Sequence, residues 1–363
     1  MWRFIFLVGL LVSIKAQPGI TYNVELFVRT PNLVTGMEFA PDGRLFYTEK
    51  ETGNVRVVDA AGVLQRDPVI HFRVDALGER GLIGIALDPN FSENHYIWVY
   101  LTAPKVVDGV YKVWQQVIRF QEENNIGRDP LVLLEVPYES RDYSWHTGGR
   151  LRFDGEGYLY VSIGDNANAA NAEDLTVYPG KIHRFEVIDD ALHIPDDNPW
   201  ANNSAFAIGL RNPIDFVFDP YSDSIFATEN GPSCDDEINL IQAGHHYGWR
   251  EGYNPISDCD DERPGEHPEY TYPLLHYTPT IAPVGIGVYT GDQIPVFEGN
   301  VFFCAWKDGQ MRSLTLNSQR DQVVYEEIVD LRGAACHTAV LTGPDGALYF
   351  ASSSGIYRLV SVD

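Results

Sequence analysis

Three short clusters in this chain carry residue types that do chemistry. The first is Trp145-His146-Thr147-Gly148-Gly149-Arg150. Histidine titrates near neutral pH and serves as a general base. The paired glycines after it let the backbone approach a ligand closely. The run Ser162-Ile163-Gly164-Asp165-Asn166 then sets the Asp165 carboxylate at a strand end. The second cluster is Gly209-Leu210-Arg211-Asn212-Pro213, where Arg211 is a fixed cation able to stabilise an oxyanion or clamp a carboxylate. The third runs from Glu229-Asn230-Gly231-Pro232 through Cys234-Asp235-Asp236-Glu237 to Asn239, followed by Tyr247-Gly248-Trp249. Three consecutive acids beside a Gly-Pro turn suit Ca²⁺, which takes carboxylate and carbonyl oxygens. Each cluster also has a plain structural reading: a hydrogen-bonding histidine, a turn cap, a salt bridge, a solvated acidic loop. Gly-x-Ser-x-Gly, phosphate-cradling and dinucleotide-binding patterns are all missing from the sequence.

These clusters need a scaffold, and the sequence predicts an all-β one. Helical periodicity is almost absent, and short β-rich runs alternate with Gly, Pro, Asp and Asn. A module recurs: an apolar strand, an Asp/Gly or Asp/Pro turn, an aromatic return strand. It begins at Met37-Glu38-Phe39, Gly84-Ile85-Ala86, Leu151-Arg152-Phe153, Phe216-Val217-Phe218, Ile294-Pro295 and Gly343-Pro344. Six copies with variable inserts predict a six-bladed β-propeller in a single domain, each copy being the inner hairpin of a blade. Runs such as 54–59 and 355–360 then supply outer strands. A pair of β-sandwiches is the alternative, but it explains the repeated turn less well. The longest inserts, 165–210 and 242–284, are expected to be irregular loops that carry function.

The chain opens with Met1-Trp2-Arg3, an apolar run from Phe4 to Ile14, and Lys15-Ala16-Gln17-Pro18. That is the pattern of a signal peptide over 1–16, with the propeller over 17–363. The apolar run is too short to span a bilayer, and no later segment is apolar enough. A secreted or periplasmic protein is expected, off the membrane after signal cleavage. Net charge is −25, from 26 basic and 51 acidic residues. This argues against nucleic-acid binding, which needs phosphate neutralisation. The four cysteines are compatible with two disulfides, and Cys234–Cys259, closing a short polar loop, is the expected pair.

Taken together, the clusters resemble the soluble quinoprotein glucose/sorbosone dehydrogenase family over nearly the whole mature chain. The resemblance rests on Gly81-Leu82-Ile83-Gly84, on His146 with Gly149-Arg150 and Ile163-Gly164-Asp165, and on Leu210-Arg211-Asn212-Pro213. It rests also on Gly231-Pro232 with Asp235 through Ile241, and on Tyr247-Gly248-Trp249. It implies a six-bladed propeller that uses pyrroloquinoline quinone and Ca²⁺ to oxidise an aldose or related alcohol and passes electrons to an external acceptor. His146 would be the general base, with Asp165 and Arg211 beside the reacting groups. Arg211, Asn212, Lys307 and Arg332 would face the cofactor. The carbonyls of Gly231 and Pro232 would bind the catalytic Ca²⁺, and Asp236, Glu237 and Tyr247 a second, structural one. The chain departs from the family where tight quinone binders carry Arg-x-Arg. It reads Cys336-His337-Thr338 there, with Arg332 nearby and His337 as a partial replacement. Two other readings follow from that departure and from the acidic run: a Ca²⁺-binding propeller without quinone, and a metal-dependent lactonase-type hydrolase.

Overall fold

The computed structural model describes residues 22–138, 143–253 and 268–362. The expected signal peptide and Cys259 lie outside these residues. Among the described residues the strands form six antiparallel sheets, arranged as the blades of a propeller. Blade 1 is Val34–Phe39, Leu45–Glu49, Asn54–Val58 and Ile70–His71. Blade 2 is Leu82–Leu87, Tyr96–Val107, Val110–Glu123 and Ile126–Tyr138. Blade 3 is Leu151–Phe153, Leu159–Ile163, Lys181–Ile188 and Ala191–His193, with Ala205–Ala207 also paired to Lys181–Ile188. Blade 4 is Pro213–Phe218, Ile225–Glu229, Asp236–Ile241 and Leu275–Tyr277. Blade 5 is Pro283–Val288, Val301–Ala305, Met311–Leu316 and Val323–Val329. Blade 6 is Val340–Thr342, Leu348–Ser352 and Gly355–Ser361, completed by the N-terminal strand Tyr22–Arg29. That last pairing joins the two ends of the chain and closes the ring.

The local sequence accounts for the blades. The second strands LFYTE, LYVSI, IFATE, VFFCA and LYFAS are buried at every position. A neighbouring blade covers each face, so both faces can be apolar. The repeated Asp/Gly turns close the inner hairpins. Asp154 accepts from the amides of Glu156 and Tyr158, and Gly157 takes a φ of +90°. This is the side-chain-to-backbone turn that Asp favours.

Two expectations shift. The fifth module was placed at Ile294-Pro295, but Pro295–Phe297 is a 3-10 turn and the innermost strand of blade 5 is Pro283–Val288. Two glycines interrupt that strand's apolar pattern. A Cβ on Gly285 would lie 2.5 Å from the Thr338 carbonyl, so blade 6 packs directly on its backbone. The insert 165–210 is also less a loop than expected, because it contains the outer strands of blade 3. Cys304 pairs with Cys336 and Cys234 is disulfide-bonded too; the expected Cys234–Cys259 pairing falls outside the described residues.

The blades meet on a polar axis. Arg150, 3% exposed, donates to the carbonyls of Thr35 at 2.9 Å and Thr338 at 3.3 Å. It forms an ion pair with Asp215 at 2.9 Å. Asp215 accepts from the amides of Phe216 and Ile286 at 2.8 and 3.2 Å. Thr35 reaches the Leu82 carbonyl at 2.7 Å and so adds blade 2.

Arg150→Leu leaves buried Asp215 with Arg152, at 3.2 Å, as its one remaining cation partner among the described residues, and takes the donor from the Thr35 and Thr338 carbonyls; it should destabilise the fold by about 3 kcal/mol, read as a lower guanidinium midpoint. A second prediction concerns acid. His183 must donate from Nε2 to the Tyr178 carbonyl at 2.8 Å, so its Nδ1 accepts from Ser204 at 2.9 Å. Burial pushes this imidazole down to about 3. The unfolded chain therefore takes up a proton below about pH 6.5 that the folded chain refuses. Stability should fall from there toward pH 3 by about 1.4 kcal/mol per unit, and His183→Gln should flatten that slope in pH-dependent melting curves.

Candidate functional site

The site is built where innermost strands begin and second strands end. Its residues sit either just before a first strand or just after a second one. Glu79 precedes blade 2, His146 precedes blade 3, and Arg211 and Asn212 precede blade 4. Lys50 follows the second strand of blade 1, Asp165 that of blade 3, Asn230-Gly231 that of blade 4, and Trp306-Lys307 that of blade 5. All these strand ends open on one face of the propeller.

His146 has a φ of +62°, a conformation that costs a non-glycine residue about 1–2 kcal/mol. Glu79 offsets this, because its Oε2 accepts from the amides of His146 at 2.7 Å and Thr147 at 3.3 Å, and from Asn212 Nδ2 at 3.1 Å. Asn212 Oδ1 in turn accepts from the Gly148 amide at 3.1 Å. Gly148 must be glycine: its φ is +58°, and a Cβ would lie 2.8 Å from the Gly164 nitrogen. The imidazole Nδ1 lies 2.6 Å from Asp165 Oδ1. That carboxylate accepts also from the Ala167 amide at 2.7 Å and, through Oδ2, from Trp249 Nε1 at 2.7 Å. With Asp165 an acceptor throughout, His146 carries its proton on Nδ1 and turns the Nε2 lone pair outward. Among the described residues Nε2 has no hydrogen-bond partner.

Arg211 is held from both ends. Its amide and that of Asn212 donate to Glu229 Oε1, and its Nη1 donates to the carbonyls of Asn230 at 2.6 Å and Gly231 at 3.0 Å. Burial pushes its guanidinium down from the usual value, against the carboxylates of Asp165, Glu229 and Glu79. Burial also pushes Glu229 well up, against its two amide donors, and leaves Glu229 Oε2 buried without a partner.

The structure thus brings His146, Asp165, Arg211, Asn212 and Gly231 together. Pro232, Glu237 and Tyr247 line a small polar pocket of about 60 Å³ beyond Arg211. Asp236 accepts from the amides of Gly231 at 2.9 Å and of Ile281 and Ala282 at 2.6 Å, so it anchors the loop. The Tyr247 hydroxyl is engaged with the Leu240 carbonyl and the Gln242 amide. Lys307 lines a larger cavity, of about 440 Å³, on the axis. Arg332 is exposed, pairs with Asp330 at 3.2 Å, and lines neither pocket.

The axial cavity touches the start of every blade, at Thr35, Ile83, Arg150, Ile214, Val284 and Thr338. Glu79 is the one carboxylate among its described lining residues, and no described group of three or more His, Cys, Asp or Glu could hold a metal ion. This gives no support to a hydrolase whose metal is held by several axial acids. Sequence reading missed Glu79 and Lys50, and it named Trp249 within Tyr247-Gly248-Trp249 without giving it a role. Glu79 and Lys50 could have been found by their place beside the repeating module; the long reach of Trp249 to Asp165 could not.

The family model described as Glucose / Sorbosone dehydrogenase matches residues 31–360. The aldose sugar dehydrogenase YliI of Escherichia coli is 30% identical over 98% of this chain and 96% of its own. Quinoprotein glucose dehydrogenase B of Acinetobacter calcoaceticus is 32% identical over 63% of this chain and 52% of its own. The apo-form structure of the soluble aldose sugar dehydrogenase from Escherichia coli has a TM-score of 0.80 at 27% identity, covering 94% of this chain and 100% of that one.

Glu79→Ala removes the acceptor shared by three N–H groups. It should cost about 1–3 kcal/mol of stability and raise amide hydrogen exchange at His146 and Thr147.

Proposed function

The chain belongs to the glucose/sorbosone dehydrogenase family, and for the sugar dehydrogenase that this makes it we propose His146 as general base, acting from Nε2 on the hydroxyl of an aldose or related alcohol. The observation that carries this reading is the 2.6 Å contact of Nδ1 with Asp165, which leaves Nε2 as the acceptor. Asp165 holds the tautomer and steadies the imidazolium formed when the proton arrives. Glu79 holds the backbone beneath it. Arg211 supplies a fixed cation beside the site, where it favours the oxygen that gains negative charge as the hydroxyl is deprotonated.

The residues present fit the cofactor set of this family. Pyrroloquinoline quinone carries three carboxylates, and the axial cavity is lined by Lys50, Arg150 and Lys307. Asn230 also lines it, with a buried Oδ1 that lacks a partner. The carbonyls of Asn230 and Gly231 already converge on a cation, the Arg211 guanidinium, beside the unpaired Glu229 oxygen. We assign quinone binding to Asn212, Lys307 and Arg211, and Ca²⁺ binding to the carbonyls of Gly231 and Pro232. When bound, the quinone supplies a hydride acceptor and Ca²⁺ makes it more electrophilic. We assign a structural Ca²⁺ to Asp236, Glu237 and Tyr247: Asp236 Oδ1 accepts from one amide and keeps a lone pair for it, and Tyr247 would use its main-chain carbonyl because its hydroxyl is engaged. Export by way of residues 1–16, and an external electron acceptor, complete the reading; the Cys304–Cys336 disulfide supports an oxidising compartment.

Protein supplied with Ca²⁺ and pyrroloquinoline quinone should reduce an artificial acceptor in the presence of an aldose. His146→Ala should lower kcat by about 10²–10⁴. Asp165→Asn should also lower kcat, with little change in quinone affinity. Normal turnover by His146→Ala would remove the base from this mechanism.

A further inference from the structure

Asp165 is 1% exposed, and its two carboxylate oxygens are held differently. Oδ1 takes both the His146 imidazole at 2.6 Å and the Ala167 amide at 2.7 Å, whereas Oδ2 has one donor among the described residues, the Trp249 indole N–H at 2.7 Å. Donors on both oxygens fix the plane of a carboxylate; donors on one leave it free to turn about its Cβ–Cγ bond. Trp249 comes from the segment after the third strand of blade 4, and that segment is pinned. The amides of Tyr247 and Trp249 donate to the carbonyls of Ile208 at 3.0 Å and Gly209 at 2.9 Å. Gly209, with a φ of +72°, permits this approach, since a Cβ there would lie 2.2 Å from His246 Nδ1. The indole packs edge-on to Tyr253 at 5.3 Å and carries the Arg211 guanidinium 5.5 Å from its ring centroid. One side chain therefore touches both the partner of the base and the cation of the site.

We infer that Trp249 is a positioning residue for His146: its N–H fixes the Asp165 carboxylate in the plane that orients the imidazole, and it disperses the carboxylate charge that draws a proton onto that ring. The inference rests on the dehydrogenase reading for its effect on turnover. Without the indole N–H, Oδ2 has no donor and the carboxylate stabilises an imidazolium more strongly. His146 then stays protonated, and unable to act as a base, to higher pH. The other ionisable groups near this pair are Glu79 at the entry to blade 2, Tyr138 on the outermost strand of blade 2 and Arg211 at the entry to blade 4. Tyr138 and Arg211 both feel the charges of Asp165 and Glu79. Trp249→Phe leaves all three in place.

The test compares wild type with two variants. Trp249→Phe removes the N–H and keeps a ring beside Arg211. Trp249→Gln loses the ring and restores an N–H at the same bond count from the backbone. NMR of the proteins before cofactor is added follows the titration of the His146 imidazole and its Nδ1 proton. The pH profile of kcat/KM with an aldose is read on the same proteins loaded with Ca²⁺ and pyrroloquinoline quinone. In Trp249→Phe the imidazole should titrate about half a pH unit or more above wild type. The acid limb of kcat/KM should move with it, and kcat at neutral pH should fall about tenfold. Trp249→Gln should titrate as wild type does. An unchanged titration in Trp249→Phe, or an equal shift in Trp249→Gln, overturns the inference. A shifted titration together with no dye reduction by wild type keeps the positioning role and removes the dehydrogenase chemistry. Dye reduction whose pH profile ignores the indole does the reverse.

Discussion

The ion pair between Arg150 and Asp215 is the contact on which the remaining structure turns. A propeller buries apolar faces between blades, but its axis is where six strand edges meet with unpaired backbone groups. Arg150 and Asp215 satisfy carbonyls and amides from blades 1, 4, 5 and 6 at once. Neither charge would tolerate burial alone; together, with those backbone partners, they set how closely the blades approach. Gly36 shows how tight this is, since a Cβ there would lie 2.9 Å from Arg150 Nη1. The same guanidinium lines the axial cavity. Ring closure and ligand cavity therefore share one group.

The site follows from that closure. In each blade the first strand begins and the second strand ends on the same face, so short loops from different blades converge over the axis. His146 illustrates what this permits. Its backbone lies in a conformation that histidine disfavours, and its side chain is oriented by Asp165 across the inner hairpin of its own blade. The backbone is held by Glu79 from blade 2, which also holds Asn212 from blade 4. Local strain is carried by a network that only the assembled ring supplies.

Charge is distributed in the same spirit. The chain is strongly acidic overall, yet Lys50, Arg150 and Lys307 line the axial cavity with Glu79 as the one acid among the described lining residues. A cationic cavity in an acidic molecule concentrates attraction for an anionic ligand at one place and keeps the outer surface solvated. Next to it, Arg211 keeps two main-chain carbonyls satisfied and screens the buried acids around it.

By itself the sequence determined a good deal. Strands such as Leu159–Ile163, the Asp/Gly turns and the six-fold count of modules are local properties of period and turn chemistry, and they suffice for an all-β propeller. The clusters at His146, Arg211 and Gly231 were legible because each hugs a module boundary. What failed locally failed for a tertiary reason. The inner strand of blade 5 was hidden by glycines that exist to let blade 6 approach. Arg332 was expected at the cofactor from its position in the chain, and the fold turns it outward to Asp330. Glu79 and Trp249 gain their roles from contacts 67 and 84 residues away along the chain. Sequence decided which elements form and which residue types sit at their ends. Only ring closure decided which of those ends share a cavity, because that depends on how blades pack around a buried ion pair and not on any one blade.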